Sequence, residues 1–126
     1  MAKAVGMGGI FLKVKDPKGL QKWYHEHLGV PLSEWGQSVF EGPEAQGQTV
    51  LAFFKEDSKK FGDSAQRAML NFRVDSIDGV MEHLAALEPQ GEFRIEPERD
   101  DSPYGRFAWF WDPEGNRVEL WEPVEE

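Results

Sequence analysis

A short sequence pattern occurs twice in this chain of 126 residues, and the second copy is offset from the first by 60 residues. Residues 10–14 read Ile-Phe-Leu-Lys-Val and residues 70–74 read Leu-Asn-Phe-Arg-Val, so both follow the order apolar, any residue, apolar, basic, valine. Such alternation is typical of a β-strand with one buried face. The same offset aligns Gly19 with Gly79. An internal repeat of this kind predicts two copies of one supersecondary unit.

A helix-like segment follows each repeated strand, over residues 17–28 and 77–87. Asp16 and Ser76 stand directly before these segments, and both residue types favour the N-cap position of a helix. Gly29 follows the first segment and can end it in the left-handed conformation. The sequence therefore predicts a strand followed by a helix in each half.

The end of each half also has strand character, because residues 48–53 align with residues 116–121. The stretch between each helix and its final strand has room for two shorter strands, which we place at residues 32–35, 38–41, 92–96 and 104–111. Each half then reads β-α-β-β-β. The predicted fold class is α+β, built from two such modules.

The length and composition suit one domain over residues 1–126, since 40% of the residues are apolar and 13% are aromatic. The absence of cysteine excludes disulfides and thiol catalysis. A formal net charge of −9 disfavours binding to nucleic acid and to anionic lipid. No apolar run approaches the length of a membrane span. We expect a cytoplasmic protein with no nucleic-acid partner and no membrane partner.

Both ends of the chain resemble the vicinal-oxygen-chelate superfamily, which includes glyoxalase I, bleomycin-resistance proteins and extradiol dioxygenases. At the opening, a strand ending Leu-Lys-Val is followed by Asp-Pro and by a helix that carries Trp23-Tyr24 and ends in Leu28-Gly29. The closing segment, residues 110–120, reads Phe-Trp-Asp-Pro-Glu-Gly-Asn-Arg-Val-Glu-Leu and resembles the C-terminal signature of these proteins more specifically. The resemblance covers residues 8 to 123.

The resemblance implies a fold in which two βαβββ modules, here about residues 8–57 and 67–123, have curled mixed sheets that form a cup. It also implies a homodimer, because such domains often pair. It does not imply one reaction, since the superfamily includes several chemistries and non-catalytic binders on the same fold.

Metal-dependent members of the superfamily place a ligand on the first and last strand of each module. Carried onto this chain, those positions are Gly9, Leu51, Met69 and Glu119. Glycine and leucine cannot coordinate a metal, and a thioether suits hard or borderline divalent ions poorly. Shifting the last strand of the first half by one residue offers Ala52, which is no better. A single carboxylate falls short of the three or four protein ligands of a catalytic zinc-type ion. We expect no metal cofactor; a divalent metal would require a different ligand alignment.

The histidines do not supply a second metal site. His25 and His27 are two residues apart, so on a helix they point in different directions, and His83 stands alone on the other predicted helix. We interpret all three as residues on or beside solvated helix faces.

Strand alternation predicts which side chains line the cup. On the first strand, Ile10 and its alternate neighbours would face the helix, so Phe11 and Lys13 would share the cup face with Gly9. Lys13 and Arg73 lie near strand ends, where we expect rim or solvent positions. The predicted ligand-binding residues are Phe11, Phe53, Met69, Asn71, Tyr104, Trp109, Trp111 and Trp121. Each aromatic could instead fill the core or a dimer interface.

Glu119 is the one polar residue retained at the family's ligand positions, and it is our candidate for a ligand anchor or a general base. A purely structural carboxylate is the alternative. Three functions remain open for the chain. The first is a metal-free protein that binds an aromatic or cationic small molecule. The second is a lyase, isomerase or dioxygenase-like enzyme that uses Glu119 as base or metal ligand. The third is a dimeric interaction module whose cup is filled.

Overall fold

The computed structural model describes residues 2–33, 37–41, 48–62, 65–87 and 93–124. These residues form two compact units, which we call the N-terminal unit (residues 9–69) and the C-terminal unit (residues 1–8 and 70–126). The elements in chain order are β1 (Ala4–Val14), α1 (Pro17–Leu28), β2 (Gln37–Phe40), β3 (Thr49–Lys55), β4 (Ala68–Val74), α2 (Ile77–Leu87), β5 (Arg94–Ser102), β6 (Gly105–Trp111) and β7 (Arg117–Pro123). Both β1 and β4 cross from one unit to the other.

The predicted α+β class is confirmed, and the second half has the predicted order β-α-β-β-β in β4, α2, β5, β6 and β7. In the first half, β1, α1, β2 and β3 match the predicted elements. The additional strand predicted at residues 32–35 is not formed at Leu32 and Ser33, and its remaining two residues lie outside the described part of the chain. No helix in the described residues is both long enough and apolar enough to cross a bilayer.

In the N-terminal unit the strand order is β2-β3-β1, with β2 antiparallel and β1 parallel to β3. The register of β1 with β3 aligns Leu12 with Phe53 and Lys13 with Phe54. Because aligned residues of neighbouring strands project from the same face of a sheet, this register decides which side chains lie together.

Helix α1 begins and ends as the sequence predicts. The Asp16 carboxylate accepts a hydrogen bond from the Gly19 backbone nitrogen at 3.1 Å, and Pro17 occupies the first turn, where a missing N–H leaves no bond unmade. Gly29 ends the helix with a φ of 68°, a left-handed conformation that costs glycine little. The ring of Tyr24 stacks on Phe53 of β3 at 5.8 Å between centroids, so α1 packs on the face that carries Phe53.

In the C-terminal unit the first half of β1 lies at one edge, in the order β1-β4-β7-β6-β5. β4 is parallel to β7, whereas β6 is antiparallel to both β7 and β5. Helix α2 begins at the predicted N-cap, since the Ser76 hydroxyl accepts from the Gly79 nitrogen at 3.0 Å. The Glu122 carboxylate of β7 accepts from the Ile77 nitrogen at 2.7 Å, which satisfies a second free N–H of the first turn.

One face of this sheet forms the hydrophobic core with α2. Its buried members, all at most 4% exposed, are Val74, Ile77, Met81, Ala108 and Leu120, and the half-buried side chains Phe72, Val80, Leu84, Ile95 and Phe110 pack against them. Burial of this apolar surface stabilises the unit by about 25 cal/mol per Å² removed from water. The other face of the sheet is therefore free of α2 and carries the candidate site.

Candidate functional site

The face of the C-terminal sheet opposite α2 carries all three tryptophans of the unit, Trp109, Trp111 and Trp121, and we call it the tryptophan face. Along β6, Ala108 and Phe110 belong to the core with α2, so the alternate residues of that strand project from the opposite side. The residues of this face, assigned by strand register, are Asn71, Arg73, Arg94, Phe107, Trp109, Trp111, Arg117, Glu119 and Trp121. The alternation predicted for β4, β6 and β7 is confirmed.

Strand register brings Glu119 between two hydrogen-bond donors. β4 places Asn71 beside Glu119, and β6 places Trp109 directly opposite it. The Asn71 side-chain nitrogen donates to Oε1 of the carboxylate at 2.6 Å, and the indole nitrogen of Trp109 donates to Oε2 at 2.9 Å. Glu119 is only 7% exposed. Charge-assisted hydrogen bonds to both oxygens are what allow a carboxylate to be buried among aromatic rings.

A glycine makes room for this cluster. A Cβ added at Gly8 of β1 would overlap the Asn71 side-chain oxygen and would lie 3.0 Å from Cε3 of Trp121. Asn71 is 2% exposed, and its Oδ1 has no hydrogen-bond partner among the residues that the structure describes. The close approach of β1 to Asn71 therefore depends on the absence of a side chain at residue 8.

Two arginines lie over the tryptophan rings. The guanidinium of Arg94 is 3.8 Å from the ring centroid of Trp111. The guanidinium of Arg117 is 5.0 Å from the ring of Trp109 and 5.4 Å from that of Trp111, and it also pairs with Glu96 at 3.7 Å. Both positions are within the range of cation–π attraction. This face thus has positive charge directly over its aromatic surface, although the whole chain is acidic.

Two further predicted residues of the C-terminal unit, Trp121 and Tyr104, lie near the cluster of Asn71, Glu119 and Trp109. Trp121 stacks in parallel on Phe107, with centroids 6.3 Å apart, and its indole nitrogen donates to the backbone oxygen of Tyr104 at 3.0 Å. The side chain of Tyr104 is 66% exposed, in the turn that joins β5 to β6. Tyr104 therefore contributes its backbone to the cluster and leaves its ring in solvent.

Phe11 and Met69 are both buried in the N-terminal unit, at 8% and 1% exposure. Phe11 contacts Phe54 with 5.7 Å between ring centroids, on the side of the sheet away from α1, as the sequence predicts for β1. Met69 lies on β4 two residues before Asn71 and so shares its face of that strand.

The alternation predicted for β3 is wrong by one residue. Phe53 was expected to share the face of Phe11, but it stacks on Tyr24 of α1, on the opposite face. In the pairing of β1 with β3, Phe11 is aligned with Ala52, and Lys13 is aligned with Phe54. Leu51, the residue aligned with the family's ligand position, thus lies on the face of α1 with Phe53, whereas Ala52 lies on the face of Phe11. Alanine cannot bind a metal either, so the chemical conclusion is unchanged.

The rim position expected for Lys13 is also wrong, because this side chain is 4% exposed. Its ammonium lies 5.1 Å from the ring centroid of the fully buried Phe61. A lysine tolerates such burial when aromatic rings surround its stem and face its charge. The three histidines are exposed as predicted, and Nδ1 of His25 lies 2.9 Å from the Val30 carbonyl oxygen.

The donor set of the tryptophan face does not fit a divalent metal. Glu119 faces an amide nitrogen and an indole nitrogen, neither of which coordinates zinc-type ions. Within the described ranges, no group of three or more His, Cys, Asp or Glu side chains is placed to hold a metal ion. We therefore derive no chemistry through a metal at this position.

Sequence comparison agrees with the fold. Residues 6–120 match the family model of the Glyoxalase/Bleomycin resistance protein/Dioxygenase superfamily. The chain belongs to this superfamily. A comparison with curated protein sequences found no significant match. The resemblance inferred from the closing motif is thus confirmed at the level of the superfamily.

Solved structures of the superfamily fold are similar over nearly the whole chain. The methylmalonyl-CoA epimerase of Mycobacterium tuberculosis is 17% identical, with a TM-score of 0.66 over 97% of this chain and 90% of that one. A variant of the Streptomyces coelicolor methylmalonyl-CoA epimerase, in complex with 2-nitronate-propionyl-CoA, is 14% identical, with a TM-score of 0.69 over 98% and 100%. A Legionella pneumophila structure described as an NAD-dependent benzaldehyde dehydrogenase is 19% identical, with a TM-score of 0.57 over 92% and 98%. At these identities the likeness shows the fold alone.

The sequence interpretation missed four residues that shape the tryptophan face or its neighbourhood. Arg117 could have been found, because it precedes Glu119 by two residues on one strand and so shares its face. Arg94 and Gly8 act through strand pairing, which no local pattern reveals. Glu96 affects the tryptophan face through its ion pair with Arg117, a contact between two strands that the sequence does not show.

Proposed function

We propose that this chain is a metal-free small-molecule-binding protein of the glyoxalase/bleomycin-resistance type, and that its tryptophan face holds a planar aromatic ligand. The observation that carries the proposal is the hydrogen-bonded cluster of Asn71, Glu119 and Trp109. It anchors one indole ring on a rigid sheet and supplies a few buried polar groups in an aromatic surrounding. Small-molecule sites combine apolar walls with a small number of fixed polar groups in this way.

The electrostatics favour an aromatic ligand over a cationic one. A cation would need an open tryptophan face, but guanidinium groups already lie over Trp109 and Trp111. A ligand cation placed there would meet like charge at close range. A planar neutral or anionic group meets no such repulsion and can stack beside the guanidinium groups, which bind flat surfaces well.

A second candidate is a proton-transfer enzyme with Glu119 as the base. The structural likeness to two methylmalonyl-CoA epimerases supports an isomerase of this kind, and a carboxylate buried among aromatic rings suits general base catalysis. Incubation with methylmalonyl-CoA in D₂O tests it. Deuterium incorporation by the wild type that is lost in Glu119→Gln would favour the enzyme, whereas no incorporation would leave the binder.

Homodimerisation and a cytoplasmic location complete the proposal, and both rest on the family resemblance and the composition. Light scattering coupled to size-exclusion chromatography measures the mass in solution. A mass twice the chain's 14.4 kDa supports the dimer, and a monomeric mass at all concentrations contradicts it.

Calorimetric titration with naphthalene derivatives tests the binding function. We expect 2-naphthamide to bind the wild type more tightly than 2-naphthylmethylammonium does. Trp111→Leu is expected to weaken the binding of 2-naphthamide about two- to tenfold, the equivalent of roughly 0.5–1.5 kcal/mol for a lost aromatic contact. Trp23→Leu is the matched control, because Trp23 is 51% exposed on α1. Absence of binding by every naphthalene compound at millimolar concentration would refute the proposal.

A further inference from the structure

We propose that Arg94, stacked on Trp111, forms an anion-binding subsite on the tryptophan face, so that the ligand is a planar molecule carrying a carboxylate or a phosphate. This inference rests on the proposed binding function and specifies the chemical class of the ligand. It follows from the contacts that Arg94 makes and from those that it lacks.

The position of Arg94 is set by the β5–β6 pairing, in which it lies directly opposite Trp111. A separation of 3.8 Å between the guanidinium carbon and the ring centroid means that the cation lies on the ring face in van der Waals contact. A guanidinium in such contact with a ring keeps N–H donors at its edge, directed away from the indole. The stacking on Trp111 therefore holds the Arg94 guanidinium in place without using its N–H groups as hydrogen-bond donors.

The other five arginines of the chain are each held by an oxygen of the protein. Their partners are Glu56 for Arg67, the Met7 carbonyl for Arg73, Asp78 for both Arg99 and Arg106, and Glu96 for Arg117. The guanidinium of Arg94, by contrast, makes no hydrogen bond or ion pair with the residues that the structure describes. The chain has 23 acidic residues and a net charge of −9, yet among the described residues this guanidinium is held by a ring and by no carboxylate.

The neighbouring charges increase the selectivity of the subsite. Arg117 also lies near Trp111, but it is paired with Glu96, so Arg94 is the guanidinium at Trp111 that no carboxylate of the described residues pairs. A carboxylate or phosphate accepts two parallel hydrogen bonds from one guanidinium edge. The planar body of the same molecule would then extend over the aromatic surface toward Trp109.

Calorimetry with a matched series tests the inference: 2-naphthoate, 2-naphthyl phosphate and the uncharged 2-naphthamide. We expect at least one anion to bind the wild type about tenfold more tightly than the amide, a typical gain for a charge-assisted pair. Arg94→Gln should remove that advantage, so that the variant binds the better anion and 2-naphthamide with affinities within about twofold of each other. Arg67→Gln removes the same charge from an exposed ion pair and should leave the anion affinity unchanged. The preferred anion distinguishes a carboxylate ligand from a phosphate ligand.

The outcomes of these titrations distinguish a failure of the anion subsite from a failure of the proposed binding function. If 2-naphthamide binds but neither anion binds more tightly, or if Arg67→Gln lowers anion affinity as much as Arg94→Gln, the anion subsite is refuted and the binding function stands. If no compound of the series binds, both are refuted. Arg94 is exposed, so its replacement should leave the circular dichroism spectrum and the thermal midpoint unchanged, and both are measured with the titrations.

Discussion

The indole nitrogen of Trp109 and the carboxylate of Glu119 are joined by a hydrogen bond of 2.9 Å between directly opposed residues of β6 and β7. The bond takes up the polar edge of the indole and leaves its two faces apolar, while Asn71 holds the second carboxylate oxygen. The aromatic surface and the buried charge therefore depend on each other. A change in either residue should affect the stability of the whole cluster.

Replacing Glu119 by glutamine should destabilise the protein. Glutamine would remove the charge that strengthens both hydrogen bonds, and its amide nitrogen would face either the Trp109 indole, which can only donate, or Asn71, whose amide would have to turn over to accept. We expect the free energy of unfolding to fall by about 1–3 kcal/mol. Urea denaturation followed by circular dichroism measures it, with Glu114→Gln on the exposed turn before β7 as the control. Equal stability of the two variants would mean that the cluster does not hold the carboxylate.

Metal titration tests whether Glu119 and the side chains around it can bind a divalent metal ion. Chelator-treated protein is titrated with Ni²⁺, Zn²⁺, Mn²⁺ and Fe²⁺ by calorimetry and thermal shift, for the wild type and for Glu119→Gln. Because one carboxylate cannot replace the usual three or four ligands, we expect no tight binding by either protein. Tight binding by the wild type alone would show that the aligned positions are wrong and would favour a metalloenzyme.

Gly8→Ala should disturb the cluster from the neighbouring strand. The added methyl group would overlap the Asn71 oxygen and press on Trp121, so we expect a loss of about 1–3 kcal/mol in the free energy of unfolding. The variant Asn71→Ala removes the obstruction and permits a double-mutant cycle. The cost of Gly8→Ala should fall by more than half in the Asn71→Ala background. If Gly8→Ala costs the same free energy of unfolding in both backgrounds, its strain does not arise from contact with Asn71.

Phe53→Leu tests the corrected register of β3. Because Phe53 packs on Tyr24 of α1, its replacement should lower the free energy of unfolding by about 0.5–1.5 kcal/mol, the contribution of an aromatic pair. The affinity for 2-naphthamide should not change, since this ring lies on the face that carries α1. A tenfold loss of that affinity with unchanged stability would support the original assignment of Phe53 to the ligand face.

The turn before β7 should make stability depend on pH. Partial burial raises the pKa of Asp112, but hydrogen bonds from Asn116, Glu114 and Gly115 outweigh it and hold the pKa below its usual value. Because the folded pKa is depressed, the stabilisation is present above the unfolded pKa of about 4 and is lost as the pH falls through the folded value. Asp112→Ala should therefore cost about 1 kcal/mol at neutral pH and less near pH 2, as measured by urea denaturation. A cost independent of pH would contradict this assignment.

Local alternation predicted the faces of β4 and β7 because polar residues, Asn71 and Arg73 on β4 and Arg117 and Glu119 on β7, alternate there with apolar ones. Residues 107–111 of β6 are all apolar, and the pairing of Trp109 with Glu119 shows which face they take. Residues 50–54 of β3 are all apolar, so a period of two carries no information there. Pairing with β1 sets the face of Phe53, and that pairing is not visible in the sequence.

The sequence by itself determined the two-module α+β plan, the caps of both helices, the superfamily and the retention of a single carboxylate, Glu119, at the aligned ligand positions. These features depend on local periodicity, on cap residues and on residue type, all of which can be read from neighbouring positions. Only the tertiary structure decided that Asn71 and Trp109 hold Glu119, that Lys13 is buried, and that Arg94 lies on Trp111. Those contacts join residues on different strands, and they exist because hydrogen-bonded register, a property of paired strands, brings distant positions of the chain within a few ångströms.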